Sequence, residues 1–361
     1  MPPLLKFILR RLFFLVISFI FITALLYAGI MLTPAETRAD LYMPKNLSPN
    51  LTEEQAQKLI EKLTALIIEK YHLSAPYPVQ YLGWLDNLVH GAWGYSPTLQ
   101  EDVLTSLLRR TPATLELTLY SILVFIPLGI ITGAIAAGSF HKPKDTLLQA
   151  SAFLATAMPT FILALFLISI FYAGLKWFPP GRLSNALSQV INTPGYHSYT
   201  GLVTIDGLLN LRLDVTLDAL RHLVLPVITL SLFHWATLQR ITRAAMLDEF
   251  SKEYLLAVKA KGITHRRAVW HHALRNVLSP VLTSSMLSAA SLLTGVFVVE
   301  IIYNYPGVSS IITRGVGSIP DAPAAVGFAV YSILAVLVMM FILDIVQAWL
   351  DPRYREGILE L

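Results

Sequence analysis

The chain has 361 residues, of which 55% are hydrophobic and only 14% charged, with a formal net charge of +4 and no cysteine. A soluble domain usually carries about 25% charged residues, so the composition disfavours a soluble protein. The lack of cysteine excludes disulfides, zinc–thiolate sites and thiol nucleophiles.

The charged residues are absent from whole windows of the sequence instead of being thinly spread. About 20 helical residues cross a hydrocarbon core of about 30 Å, and one central Asp, Lys or Arg costs about 2.5–3.5 kcal/mol. Six windows satisfy these conditions: residues 12–32, 117–140, 146–175, 222–239, 277–299 and 322–343. The fourth window is the shortest. We therefore predict an all-α polytopic membrane protein with six transmembrane helices.

The first window follows Lys6, Arg10 and Arg11, as the apolar core of a secretory signal peptide would. Its apolar run is about twice the length of such a core, and no convincing cleavage site follows it. We therefore predict a retained first span.

Lysine and arginine predict the orientation of the spans, because they accumulate on the cytoplasmic side. With the N-terminus in the cytoplasm, the cytoplasmic segments hold 15 basic and 8 acidic residues, a net +7 against −3 for the remainder. We therefore predict a multi-pass protein of the inner (cytoplasmic) membrane with both termini cytoplasmic. The positive charge is a topology signal, and no nucleic-acid partner is predicted.

The segment between the first two spans is predicted to be external. Thr52 and Gln55 are spaced as a capping box, and apolar residues then recur at helical spacing to about Tyr71. A second apolar set at 81–89 predicts another short helix near the membrane surface. Residues 176–221 are rich in Gly, Pro, Asn and Ser and are predicted to form an external loop.

The longest cytoplasmic segment, residues 240–276, is strongly patterned. Leu247, Phe250, Tyr254 and Val258 fall at helical spacing. Gly262 can supply a left-handed C-terminal cap, and Thr264 an N-terminal cap for the next helix. The predicted organisation is an anchor at 1–33, an extracytoplasmic segment at 34–105, a core at 106–352 containing the 240–276 loop, and a tail at 353–361.

The sequence EYLLAVKAKG at 253–262, followed by RR at 266–267 and HALRNVLSP at 272–280, resembles the EAA loop of type I ABC-importer permeases. The form is that of the dipeptide, oligopeptide and nickel branch. Further blocks resemble the same branch in the same order: residues 71–91, TPATLEL at 111–117, EIIYNYPGV at 300–308 and LDPRYR at 350–355. These blocks cover most of the chain.

The resemblance implies the type I permease fold with an external helical insertion after the first span, and a short coupling helix that docks on an ATPase. It implies ATPase-coupling roles for residues of the loop: Glu253, Tyr254, Ala257, Ala260, Lys261, Gly262 and Arg266. The implied partners are a homologous second permease in a heterodimer, two ABC ATPase subunits, an extracytoplasmic substrate-binding protein and the lipid membrane. No cofactor is expected on this chain, since ATP and Mg would bind the ATPase subunits.

Polar residues of the fifth span form a second set of candidates. Ser284, Ser288 and Ser291 lie at i, i+4 and i+7, a spacing that suits either a polar pathway or close helix packing. Glu300 and Asn304 follow as possible gate residues. Glu300 and Asp344 lie near membrane ends and suit anchors or proton relays.

The cytoplasmic histidines at 265, 271 and 272 are interpreted as solvated or interfacial and not as metal ligands. His271 and His272 are adjacent, so on a helix they cannot share a face.

A multi-pass chain could be an ABC-importer permease, a secondary transporter or a membrane-embedded enzyme. The chain has no phosphate-binding Gly-x-x-x-x-Gly-Lys-Ser/Thr loop, so it must borrow energy from another subunit. A secondary transporter would show inverted repeats and ionisable groups at the midplane, and a membrane enzyme would carry a hydrolase or protease motif; neither pattern is found. The hypothesis is therefore a non-catalytic ABC-importer permease, with peptides as the substrate and nickel or oligosaccharides as alternatives.

Overall fold

A computed structural model of the chain describes residues 3–43, 53–315 and 321–350. Within these ranges the regular secondary structure is helical apart from one antiparallel hairpin, in which Tyr95 pairs with Asp102 and Ser96 with Glu101. Its strands are β1 (Tyr95–Ser96) and β2 (Glu101–Asp102). The all-α class is therefore confirmed.

Five helices of the described residues are long and apolar enough to cross a membrane. They are α1 (Pro3–Ile30), α5 (Val103–Gly138), α10 (Leu213–Phe250), α13 (Leu274–Ile302) and α15 (Ala322–Leu350). Helix α13 continues a helical segment that begins with α12 (His265–Arg267) and a π-helical turn, Ala268–Ala273. A sixth crossing arises if the bent pair α6 (Pro143–Ala157) and α7 (Thr160–Leu167, continued by π-helical Ile168–Gly174) counts as one span.

The predicted third span is not one straight helix. Helices α6 and α7 meet at an angle of 100°. Met158 between them is extended, with φ −96° and ψ 126°, because the residue before a proline is driven out of the helical region. Pro159 therefore breaks this window.

The fourth apolar window was the shortest of the six, but it lies in the longest helix of the described residues. Helix α10 has 38 residues and continues past the apolar window to Phe250, since helical hydrogen bonds do not require apolar side chains. Arg243, beyond the window, donates from Nε and Nη2 to the two carboxylate oxygens of Asp145 in α6, at 2.7 and 2.8 Å. The predicted loop at 240–276 is therefore helical for its first turns.

The segments predicted to be external contain more helix than the sequence predicted. The two predicted helices are present as α3 (Glu53–Lys70) and α4 (Tyr77–Val89), after a short α2 (Ala35–Ala39). The predicted loop 176–221 is wrong in part, because it includes α8 (Asn185–Val190), α9 (Val203–Leu209) and the start of α10. The capping box of Thr52 and Gln55, the C-terminal signature and the tail at 353–361 lie outside the described side chains.

The chain divides into two compact units. The first comprises Met1–Phe7, Pro112–Gly307 and Ile342–Leu361, and the second Ile8–Thr111 and Val308–Phe341. The core of the first lies between α5, α10 and α13 and contains the fully buried Leu117, Phe125, Leu238, Leu292 and Val296.

Close approach of α5 and α10 depends on a glycine. A β-carbon added at Gly133 would lie 2.6 Å from Thr242 Cβ, too close for van der Waals contact.

The core of the second unit is aromatic. Tyr27 of α1 packs on Tyr81 and Trp84 of α4, with ring centroids 6.0 and 5.0 Å apart, and Val330 of α15 completes the cluster. At the start of α15, Asp321 accepts hydrogen bonds from Ser96 Oγ at 2.5 Å and from the Ala324 amide at 3.0 Å. This carboxylate caps the helix and fixes the hairpin to it. The short α14 (Ser310–Gly315) belongs to the same unit.

Candidate functional site

The loop identified from the sequence contains a short helix with sharp ends. Helix α10 stops at Phe250, and α11 (Glu253–Ala260) begins after Ser251 and Lys252. Gly262 has φ +75°, the left-handed conformation predicted for a C-terminal cap. Thr264 stands at the N-cap of α12, but its side chain makes no capping hydrogen bond, so that prediction is wrong.

Helix α11 presents one face to its own chain. Leu255 is 1% exposed and packs in an apolar cluster with Met246 of α10 and Val277 of α13. Tyr254 and Val258 pack partly against the same cluster. The apolar face is therefore held by the ends of two long helices.

The opposite face of α11 and the turn after it are open. Of the seven predicted coupling residues, six are exposed: Glu253, Ala257, Ala260, Lys261, Gly262 and Arg266. They lie on α11, in the turn after it and in α12. The seventh, Tyr254, is half-buried and its hydroxyl points towards Glu249.

Glu249 is a residue of this site that sequence reasoning missed. It lies in the last turn of α10 and is only 4% exposed. Its carboxylate contacts Tyr254, Asn276 and Lys252. The sequence offered one signal for it: an acidic residue stands next to Phe250, within the apolar pattern of the loop.

The histidines at 265, 271 and 272 do not form one site, although the rings of His271 and His272 lie 5.5 Å apart. His265 Nε2 lies 2.9 Å from the Gly138 carbonyl, while the rings of His271 and His272 are 86° apart in plane. Nowhere in the described ranges do three His, Asp or Glu residues cluster closely enough to hold a metal ion.

The serines of α13 bond mainly to their own helix. The Ser284 hydroxyl donates to the Pro280 carbonyl at 3.0 Å, and the Ser291 hydroxyl to that of Ser288 at 2.9 Å. Ser288 is buried, Ser284 half-buried and Ser291 exposed. A role of this face in a pathway stays a prediction.

The two possible gate residues lie in different environments. Glu300 is 1% exposed and accepts a hydrogen bond from Thr114 Oγ1 at 2.5 Å. Asn304 is exposed and has φ +49° just after α13 ends, a conformation that asparagine tolerates at a helix C-terminus.

The sequence analysis also missed a buried ionic cluster, whose residues include neighbours of Thr114 and Asn304 in the sequence. Arg182 donates from Nε and Nη2 to Glu116 Oε2 at 2.9 and 2.7 Å. Thr204 donates from its amide and hydroxyl to Oε1 at 2.8 and 2.7 Å, and the Tyr305 hydroxyl donates to Oε2 at 3.2 Å. The cluster joins α5, α9 and the turn after α13 to the segment at Arg182.

The charges in this cluster are well matched. Burial raises the pKa of the Tyr305 hydroxyl well above its usual value, and the Glu116 carboxylate adds to that. Burial opposes the charge of Arg182, but Tyr305 and Glu116 outweigh it and raise the pKa of the guanidinium. A neutral hydroxyl and a permanent cation therefore face the carboxylate.

These features define a class of protein: a polytopic helical membrane protein that carries a short, partly exposed helix packed against the ends of two long helices. A family model described as "Binding-protein-dependent transport system inner membrane component" matches residues 126–356. The chain belongs to this family. It is therefore a multi-pass inner-membrane permease subunit of an ABC importer and is not itself an enzyme, as the sequence hypothesis predicted.

Curated relatives extend the similarity along the whole chain. The Di/tripeptide transport system permease protein DppB of Pseudomonas aeruginosa (strain UCBPP-PA14) is 32% identical over 353 residues, 98% of this chain and 99% of the relative. The Probable D,D-dipeptide transport system permease protein DdpB of Escherichia coli (strain K12) is 32% identical, with 81% and 84% covered. The Oligopeptide transport system permease protein AppB of Bacillus subtilis (strain 168) is 32% identical, with 79% and 83% covered.

Proposed function

We propose that the chain forms half of the translocation pore of a peptide importer. The names of its relatives support the peptide class, since they specify dipeptide, tripeptide and oligopeptide transport. The other half would be a homologous permease, and an extracytoplasmic binding protein would deliver the substrate. Uptake of labelled dipeptides and tripeptides, compared with nickel and oligosaccharides, tests the substrate class.

The coupling part of the proposal concerns α11. Its exposed face, which includes Glu253 and Ala257, and the turn at Gly262 would dock on a cytoplasmic ATPase subunit that binds ATP and Mg. The observation that carries this is the two-sided character of the helix: one side packed on α10 and α13, the other open. A helix so held can pass force from a docked subunit to the spans.

The docking test uses the left-handed turn. Nothing lies within 4 Å of a β-carbon built at Gly262, so a substitution there acts through backbone conformation. Gly262→Val is expected to cost about 1–2 kcal/mol in this turn and to lose ATPase co-purification and peptide uptake at normal membrane levels. Gly262→Asn should retain both, because asparagine accepts a positive φ.

The exposed Lys144→Ala serves as a control away from α11 and should transport normally. If Gly262→Val retains full ATPase association and uptake, the docking assignment is wrong. If it loses both and Gly262→Asn fails equally, the left-handed turn is not the cause.

A further inference from the structure

Glu249 occupies the point where three helical elements come together. Glu249 Oε1 accepts a hydrogen bond from the Tyr254 hydroxyl of α11 at 2.5 Å and another from Asn276 Nδ2 of α13 at 3.0 Å. Lys252 Nζ lies 2.5 Å from Oε2. A single buried carboxylate therefore bonds the end of α10 to both neighbouring helices.

The Glu249, Tyr254 and Asn276 side chains form a closed triangle, named here the hinge triangle. Asn276 Nδ2 also donates to the Tyr254 hydroxyl oxygen at 2.8 Å, so each side chain bonds to the other two. Burial raises the pKa of Tyr254 to about 12, and its hydrogen bond to Glu249 contributes. The hydroxyl is therefore a proton donor throughout the physiological range.

The hinge triangle fixes the orientation of α11, which the apolar contacts beneath it do not. Leu255, Met246 and Val277 hold α11 against the long helices through packing, which is not directional. Hydrogen bonds to an ionised carboxylate are short and directional. The triangle thus fixes the rotation and the distance of α11 relative to the last turn of α10 and the first turn of α13.

We propose that Glu249 is the positioning residue that ties α11 to α10 and α13, so that a displacement of α11 moves both long helices together. This rests on the proposed function, because it assumes that α11 receives the ATPase. It goes beyond docking, because Glu249 is buried and Asn276, which is exposed, belongs to α13 and not to the docking face of α11. Loss of the triangle should leave the ATPase bound but its hydrolysis poorly coupled to transport.

The experiment uses the full complex, with second permease, ATPase subunits and binding protein, reconstituted in proteoliposomes. Glu249→Gln, Tyr254→Phe and the double variant are measured for ATPase co-purification and for peptide transported per ATP hydrolysed. In each, the transport ratio is expected to fall about tenfold, the factor for losing one charge-assisted hydrogen bond, while co-purification stays normal. The double variant should be no worse than the worse single one, since the groups act as a unit.

Asp248→Asn is the matched control, because it makes the same kind of change one residue earlier on an exposed side chain. Its ratio should stay at the wild-type value. A merely structural role would lower transport and hydrolysis together and leave the ratio unchanged, and that result in Glu249→Gln and Tyr254→Phe would overturn the proposal. If Glu249→Gln does not assemble, Tyr254→Phe, which removes a single hydroxyl, decides.

Failure of this inference is distinguishable from failure of the docking proposal. Docking fails if Gly262→Val keeps its ATPase and its uptake. The hinge triangle fails if Gly262→Val loses the ATPase while the triangle variants keep an unchanged transport ratio.

Discussion

The carboxylate of Glu300 lies in the space that a side chain at Gly307 would occupy. A β-carbon added at Gly307 would overlap Glu300 Oε1, while the Tyr305 amide donates to the Glu300 carbonyl at 2.8 Å. The turn after α13 therefore folds back on the last turn of that helix. This turn also carries Tyr305 to Glu116, so the two carboxylates share one supporting segment.

Gly307→Ala is expected to displace the Glu300 carboxylate from Thr114 and to destabilise the protein by about 1–3 kcal/mol, the usual cost of overpacking. The measurement is the thermal unfolding midpoint of the purified protein in detergent. Gly29→Ala is the control, because nothing lies within 4 Å of its added β-carbon. An unchanged midpoint in Gly307→Ala would show that the carboxylate moves aside without cost.

The segment around Asp206 is predicted to lose stability in acid. Burial alone would raise the pKa of Asp206, but hydrogen bonds from Thr200, Ser198 and Gly201 outweigh it and hold that pKa below its ordinary value. A depressed carboxylate pKa stabilises the folded state above the ordinary value of about 4, and this stability disappears as the pH falls through the folded value.

Amide hydrogen exchange of Thr200 and Gly201, corrected for its intrinsic pH dependence, should therefore accelerate as the pH falls below about 4. Asp206→Asn should raise exchange already at neutral pH, with a local cost of about 1–3 kcal/mol, and remove the acid dependence. Equal pH profiles for wild type and variant would contradict the assignment.

The orientation of the chain gives a third prediction. A reporter fused after Leu361 is expected in the cytoplasm and one inserted near Asn50 on the external side, because of the +7 and −3 division of charge. Protease protection in oriented vesicles or compartment-specific reporter activity measures both. Both reporters on the same side would contradict the six-span topology.

Features that depend on neighbouring residues were predictable from the sequence. Five of the six apolar windows fall largely within one helix each, and the third is divided between α6 and α7, since hydrophobicity and backbone hydrogen bonding act locally. The positive φ of Gly262 was predictable because only glycine takes that conformation at low cost. The periodicity at 247–258 identified side chains that pack partly against the apolar cluster, such as Tyr254 and Val258, but not the buried Leu255.

Features that depend on residues far apart were not predictable. Glu116 and Arg182 are separated by 66 positions, and no local pattern joins them. Family resemblance grouped Tyr254 with the exposed coupling residues, while the structure turns its hydroxyl to Glu249 and Asn276. The bend at Pro159 could have been predicted from the sequence, because a proline inside the third window interrupts a helix.

The buried pair of Glu116 and Arg182 supports the last prediction. Glu116 has a side chain with no solvent exposure, and that of Arg182 is 19% exposed. Removal of one partner leaves the other charge buried, at a cost of about 3–5 kcal/mol. Arg182→Met and Glu116→Gln should each destabilise the protein by this order.

The double variant Glu116→Gln with Arg182→Met should be more stable than the sum of the single changes implies, because no uncompensated charge remains. Thermal and denaturant unfolding of all four proteins gives the coupling energy of the cycle. The control is Arg212→Met, which disrupts an exposed pair with Asp214 at 2.7 Å and should leave the midpoint unchanged. Strict additivity of the Glu116 and Arg182 changes would mean that the two charges do not support one another, and that Thr204 and Tyr305 alone hold the Glu116 carboxylate.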